Sequence, residues 1–278
     1  MTRFTKTFPI LCFIGLSYGL SWLCWLPIRD KIQSNPFESE PWVFILLLLG
    51  GYGPSVAALI LASLDGGASK VVALLKKFAI FKVGFRWYAV ALLYGPLAMA
   101  ISVGIYAATG GTIGYVHYPA FLFIPVMFVA ASIFGPLAEE LGFRGYALPL
   151  LYERYGFFLS SVALGAIHTF WHTPLFWSAE GSGVSGAPVT LASVGLYFLT
   201  TTSLSFIFTW VFKNTRGSVF LAFLVHLSAN GSNIARGFIL PELDDAAARL
   251  INDYRAFVLL AMVVCGAAFI RIVSTRSR

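Results

Sequence analysis

Long apolar runs separated by short polar segments dominate this chain. A helix that crosses a bilayer needs ~20 mostly apolar residues. Eight runs reach that length: Phe8–Ile28, Trp42–Leu64, Trp87–Thr109, Phe121–Leu151, Phe157–Trp177, Val189–Phe212, Ser218–Leu240 and Tyr254–Val273. The pattern predicts an all-α polytopic membrane protein of about eight transmembrane helices enclosing an intramembrane polar site. The fourth run is too long for one straight span, so it tilts, or starts or ends in the interface. Between the second and third runs, Lys70 to Lys82 sets lysines among apolar residues at near-helical spacing. That segment reads as an interfacial helix. No tandem repeat, low-complexity tract or soluble domain interrupts the runs, so residues 1–278 read as a single transmembrane domain.

Composition agrees with the pattern. Hydrophobic residues make up 58% and charged residues 11%, against ~25% charged in a soluble domain. The net charge of +7 does not point to nucleic acid, because the basic residues lie in the segments between apolar runs. There they set topology. With the N-terminus inside, 14 of the 19 basic residues fall on inner segments. That asymmetry predicts a multi-pass cell-membrane protein with cytoplasmic N- and C-termini. The first run is followed by others and is expected to be an anchor, not a removable signal peptide. Cys12, Cys24 and Cys265 lie in apolar runs and read as small core residues. Glu242, Asp244, Asp245 and Asp253 read as a solvated outer loop, and His117 receives no role.

Against this background the run Phe134-Gly-Pro-Leu-Ala-Glu139-Glu140-Leu-Gly-Phe-Arg144-Gly145 is anomalous. A charged side chain at the centre of a membrane helix costs at least ~2.5–3.5 kcal/mol. Glu139, Glu140 and Arg144 therefore require a partner, a cavity or a reaction. Few other ionisable or amide groups lie at comparable depth: His168 and His172 on the fifth run, His226 and Asn230 on the seventh. At 1.5 Å per residue, Glu139 lies roughly 21 Å, His172 roughly 24 Å and Asn230 roughly 20 Å from the inner surface. A shared site is the simplest explanation. Within each helix, Glu140 with Arg144, His168 with His172, and His226 with Asn230 are four residues apart and share a face. Glu139 is rotated about 100° from Glu140, so the two carboxylates meet different surroundings and can take different roles. Glu140 with Arg144 reads equally as a helix-stapling ion pair. His168 reads first as a packing residue, and Asn230 also suits a bond to a neighbouring helix.

The ordered set Glu139-Glu140-x-x-x-Arg144, then His172 after an aromatic-rich turn, then His226-x-x-x-Asn230, resembles the CPBP family. These are the CAAX proteases and bacteriocin-processing enzymes, also called the CAAX prenyl protease 2 or abortive-infection family. Their motifs EExxxR, FxxxH and HxxxN occur in this order on separate membrane helices. The resemblance is specific to the C-terminal half, with residues 119–240 as the core. His168 departs from it, standing where the family usually has Phe.

The resemblance implies an intramembrane endopeptidase. Glu139 with His172 would activate water, Glu140 with Arg144 would hold the helix turn, and His226 with Asn230 would stabilise the oxyanion. The implied partners are membrane lipids and a membrane-associated peptide or protein substrate, lipidated in the CAAX-type case, with no nucleic acid. Zn2+ is a candidate cofactor, because His168-x-x-x-His172 has the same-face spacing of zinc sites. No HExxH is present, and a metal-free glutamate mechanism is preferred. Two other classes stay open. One is an ion- or proton-coupled transporter, since buried carboxylates and histidines also mark ion paths. The other is a non-catalytic scaffold or immunity protein of the same fold.

Overall fold

A computed structural model describes residues 8–33, 39–133, 135–177 and 188–276. These residues are predominantly helical, in keeping with the apolar runs. In chain order the helices are α1 (Pro9–Trp25), α2 (Pro41–Gly51), α3 (Gly53–Leu75), α4 (Phe85–Ala108), α5 (Ile124–Ile133), α6 (Pro136–Glu140), α7 (Leu148–Trp171), α8 (Leu191–Asn214), α9 (Val219–Ile239) and α10 (Asp245–Arg276). A π-helical turn, Leu141–Ala147, joins α6 to α7.

Local chemistry sets several boundaries. Proline stands in the first turn of α1, α2, α3 and α6, where its missing N–H costs no helical bond. Thr190 and Ser193 cap α8 reciprocally, and Ser218 Oγ accepts the Leu221 N–H at the start of α9. Helix α10 begins well before the run expected from Tyr254. Asp244 Oδ1 accepts the Ala247 N–H at 2.7 Å, and Asp245 lies in the first turn, where a negative charge suits the helix dipole. Much of the expected acidic loop is thus helix start.

Among the described residues, five helices are long and apolar enough to cross a membrane, or six if the bent pair over residues 118–171 is one span. The difference from eight has physical causes. Run two is divided between α2 and α3. Helix α9 carries His226, Asn230, Asn233 and Arg236, which lower its apolar content. The end of run four joins run five in α7, where Gly156 turns the chain with φ 70°. The over-long fourth run is broken near Gly135 instead of simply tilting. The lysine-rich segment is also set off by a break: Gly66 and Gly67 leave helical geometry, and Gly67 has φ 63°.

Two apolar cores flank the middle of the molecule. One gathers Phe13 and Trp25 of α1, Leu61 of α3, Phe143 of the π turn, and Leu148 and Trp171 of α7. The other gathers Trp87 of α4, Phe208 of α8, Leu221 of α9 and Leu259 of α10. Helix α6 and the π turn lie between, touching α3 on one side and α9 on the other. The outer surface stays apolar: Leu23 is 76%, Phe85 84% and Leu191 92% exposed, as suits side chains that face lipid. Cys12 and Cys24 are half-buried, whereas Cys265 is exposed and is not a core residue.

Candidate functional site

The site is built around the break at Gly135. This residue has φ 97° and ψ −70°, a conformation that side-chain-bearing residues rarely adopt. Pro136 then opens α6, and the first helical bond runs from Glu139 N–H to Gly135 O at 2.8 Å. Within one turn the helix widens into the π turn that carries Arg144. Such turns are rare and frequently occur at functional sites. Helix α3 braces this geometry. Ser55 Oγ donates to the Ala138 carbonyl. A Cβ on Gly142 would strike the Pro54 backbone. Just past the helical part of α3, Lys77 Nζ donates to the Gly145 carbonyl at 2.6 Å. The lysine-rich segment expected at the interface is therefore docked on the site's own turn.

The adjacent carboxylates have separate surroundings. Glu140 is fully buried and Arg144 is 1% exposed. One oxygen, Glu140 Oε1, accepts from Arg144 Nη1 and from His226 Nδ1, both at 2.7 Å. The Arg144 guanidinium also lies 3.6 Å from the Phe208 ring centroid, a cation–π contact. Glu139 faces elsewhere. Its Oε2 lies 3.3 Å from His168 Nε2, but the geometry is not that of a hydrogen bond, and this buried oxygen has no hydrogen-bond partner.

His172 is held through one nitrogen. Its Nδ1 lies 3.0 Å from the His168 carbonyl and 3.2 Å from the Tyr197 hydroxyl. A carbonyl only accepts, so Nδ1 carries the proton and Nε2 keeps its lone pair. The same logic puts a proton on His226 Nδ1, beside the Glu140 carboxylate. The imidazoles of His168 and His172 stack at 4.9 Å, and His168 stacks on Phe143 at 4.8 Å. Behind them, Trp22 Nε1 donates to Trp171 O at 2.9 Å and Tyr18 to Ile167 O at 2.5 Å. Donors from α1 thus hold two carbonyls near the end of α7, and that of Trp171 is among the last four, which a helix leaves without an intrahelical partner. Trp171 Nε1 donates to Ser21 Oγ at 2.7 Å, which fixes the aromatic wall beside His172.

Three expected residues from two helices converge on the open face of Gly135. A Cβ there would lie 2.8 Å from Glu139 Oε1, 3.4 Å from His226 Nε2 and 3.5 Å from Asn230 Nδ2. A second grouping overlaps it: one donor atom each from Glu139, His168 and His172 lie within 4.8 Å of one another. That set of one carboxylate and two imidazoles fits a divalent metal ion in donor type and count.

All six expected residues, Glu139, Glu140, Arg144, His172, His226 and Asn230, are thus brought to one place. Two details differ from the expected pairings. The imidazole in ion-pair range of Glu139 belongs to His168, which read first as packing. His226 is tied to Glu140 through one nitrogen while the other faces Glu139. Tyr197 was not anticipated: a tyrosine in an apolar run reads as membrane-belt packing, and its only signal is an aromatic hydroxyl amid the threonine-rich sequence of α8.

Comparison with known proteins gives two findings. Residues 119–232 match the family model described as Type II CAAX prenyl endopeptidase Rce1-like. CAAX prenyl protease 2 of Methanococcus maripaludis is 24% identical over 229 residues, covering 80% of this chain and 82% of that relative.

Proposed function

We propose, from the match of residues 119–232 to the Rce1-like family model and the likeness to a CAAX prenyl protease 2, that this chain is a CAAX-type protease and hydrolyses a peptide bond within the membrane, near the carboxyl end of a lipid-modified substrate. The observation that carries the proposal is the convergence of Glu139 Oε1, His226 Nε2 and Asn230 Nδ2 on the face of Gly135, beside a Glu139 Oε2 that lacks a hydrogen-bond partner. An unpartnered buried carboxylate oxygen is costly and is available to a water molecule.

In this mechanism Glu139 is the general base. Water, held by Glu139 and by the His172 Nε2 lone pair, gives a proton to Glu139 as its oxygen bonds to the substrate carbonyl carbon. The carbonyl oxygen becomes an oxyanion and receives hydrogen bonds from Asn230 Nδ2 and His226 Nε2. One such donor is typically worth ~2.7–4 kcal/mol. With Nδ1 already donating to Glu140, His226 donates from Nε2 only as an imidazolium. Glu140 balances that charge, and Arg144 fixes Glu140 in place. Glu139 then passes its proton to the leaving nitrogen as the C–N bond breaks. Arg144 and Glu140 are positioning residues, whereas Glu139, His172, His226 and Asn230 touch the reacting atoms.

A metal-assisted version is favoured by one observation, the clustering of Glu139, His168 and His172 donor atoms. Those three residues would hold Zn2+, which would supply Lewis-acid polarisation and a bound water of lowered pKa. Bound-metal content of purified wild type against His168→Phe tests that version apart from activity.

The decisive experiment is cleavage of peptides bearing an S-prenylated cysteine by reconstituted protein, read by mass spectrometry beside Glu139→Gln. Cleavage by wild type alone is expected, with product masses that locate the bond. Equal function of Glu139→Gln would overturn the mechanism and favour a scaffold. Ion or proton flux without cleavage would favour a transporter.

A further inference from the structure

We propose that Arg236 and Arg255 bind the free C-terminal carboxylate of the peptide that this site cleaves. The proposal rests on the peptidase function above and adds a specificity subsite to it.

Both arginines are anomalous. Arg236 lies near the end of α9 and Arg255 lies within α10, the latter in a helix apolar enough to span a membrane. Neither takes part in an ion pair among the described residues. The Nε of each is buried without a hydrogen-bond partner. Arg255 makes one long contact, from Nη1 to the Ala229 carbonyl at 3.5 Å. Each lies within electrostatic reach of the other. Two half-buried like charges, neither of them ion-paired, call for an anion. Arginine's fork of donors suits a carboxylate.

The position selects the anion. Arg255 reaches α9 at the level of Ala229, next to Asn230. It also lies within electrostatic reach of Tyr197, which contacts His172. On α9, His226, Asn230, Asn233 and Arg236 recur at helical spacing along one side. From Asn230 to Arg236 the axial rise is about 9 Å. Two or three extended residues, at ~3.3 Å each, cover that length. A peptide whose scissile carbonyl lies at His226 and Asn230 therefore brings a carboxylate two or three residues downstream to the arginines. Asn233 Oδ1 and Asn252 Oδ1, buried and without hydrogen-bond partners, supply acceptors for N–H groups of that short segment. Peptide ends lacking the charge, or ends many residues further on, would leave the cations unpaired and bind weakly.

The test measures binding, so it does not depend on turnover. The full chain carrying Glu139→Gln is reconstituted in phosphatidylcholine nanodiscs. A fluorescent peptide with an S-farnesyl cysteine three residues from its end is made as the free acid and as the C-terminal amide. The acid is expected to bind at least about tenfold more tightly, equivalent to roughly 1.4 kcal/mol. That preference should fall to within about twofold when Arg236 or Arg255 becomes Gln, since the charge-assisted bonds are lost. It should persist in part in the Lys variants, which keep the charge. Equal affinity for acid and amide in the protein that keeps both arginines would overturn the proposal, even if the Gln variants fail to fold. Abolition of the preference by phosphatidylglycerol would also overturn it, assigning the pair to a lipid phosphate. Failure of the peptidase function is a separate result: no product from wild type with either peptide.

Discussion

Replacing Arg144 by methionine separates a structural role for the Glu140–Arg144 pair from a direct catalytic one. The two side chains are at most 1% exposed and meet at 2.7 Å. Removing one partner of such a buried pair is expected to destabilise the fold by ~3–5 kcal/mol, because the other charge is left buried without its partner. Glu140 keeps the His226 bond, and methionine still packs on Phe208, so the lower half of that range is expected. Adding Glu140→Gln to Arg144→Met removes the stranded charge while retaining an acceptor for His226. The double variant should recover stability, with a coupling near the upper end of the ~0.5–3 kcal/mol found for contacting residues. The assay is reversible unfolding in mixed detergent–lipid micelles, paired with the peptide cleavage rate per folded molecule. Arg144→Met within ~1 kcal/mol of wild type, the scale of an exposed pair, together with abolished cleavage per folded molecule, would refute the staple. Arg144 would then act on the substrate itself.

Four further outcomes are expected. Glu139→Gln should lower cleavage by ~10²–10⁴-fold, the usual contribution of general acid–base catalysis, with little change in unfolding. Tyr197→Phe should reduce the catalytic rate by up to about tenfold by loosening His172, measured as kcat at saturating peptide with KM little altered. Gly142→Val should destabilise by ~1–3 kcal/mol through overpacking against Pro54, read in the same unfolding assay. Cleavage should survive phenanthroline treatment and the His168→Phe change; loss restored by added Zn2+ would transfer the chemistry to a metal.

Much of the site was legible because membrane insertion makes buried polarity conspicuous. Glu139, Glu140, His172, His226 and Asn230 stand out only because their neighbours are apolar, and the four-residue spacing already assigned the faces. The Glu140–Arg144 pairing is signalled by the four-residue spacing, and the contact holds across the π turn. The rest depends on features that spacing cannot encode. A constant 3.6-residue period does not anticipate the break at Gly135, which clears the space beside Glu139, or the π turn that carries Arg144. Which histidine approaches Glu139 depends on the stacking of His168 between Phe143 and His172, a tertiary contact. Tyr197 and Arg255 come from helices without a motif. The number of spans was the least legible feature, because the breaks at Gly135 and Gly156, the division of run two between α2 and α3, and the polar residues of α9 interrupt what reads as unbroken apolar length.

The break and the site follow from one requirement. Adjacent glutamates on a regular helix diverge by about 100°, which is enough to send one toward Arg144 and the other away from it. Divergence alone does not give Glu139 room, because the preceding turn of a continuous helix would cover its N-terminal side. At Gly135 the chain leaves helical geometry and no Cβ fills the space, so Glu139 Oε1, His226 Nε2 and Asn230 Nδ2 face a common point. A side chain at this position would occupy that point and strain a backbone at φ 97°. Gly135→Ala should therefore abolish cleavage more completely than it destabilises the fold, since the lost space belongs to the reacting groups. Unfolding free energy and single-turnover cleavage, measured on the same preparation, decide this. A Gly135→Ala protein that cleaves at the wild-type rate would show that the substrate carbonyl lies elsewhere, and the oxyanion assignment of His226 and Asn230 would fall with it.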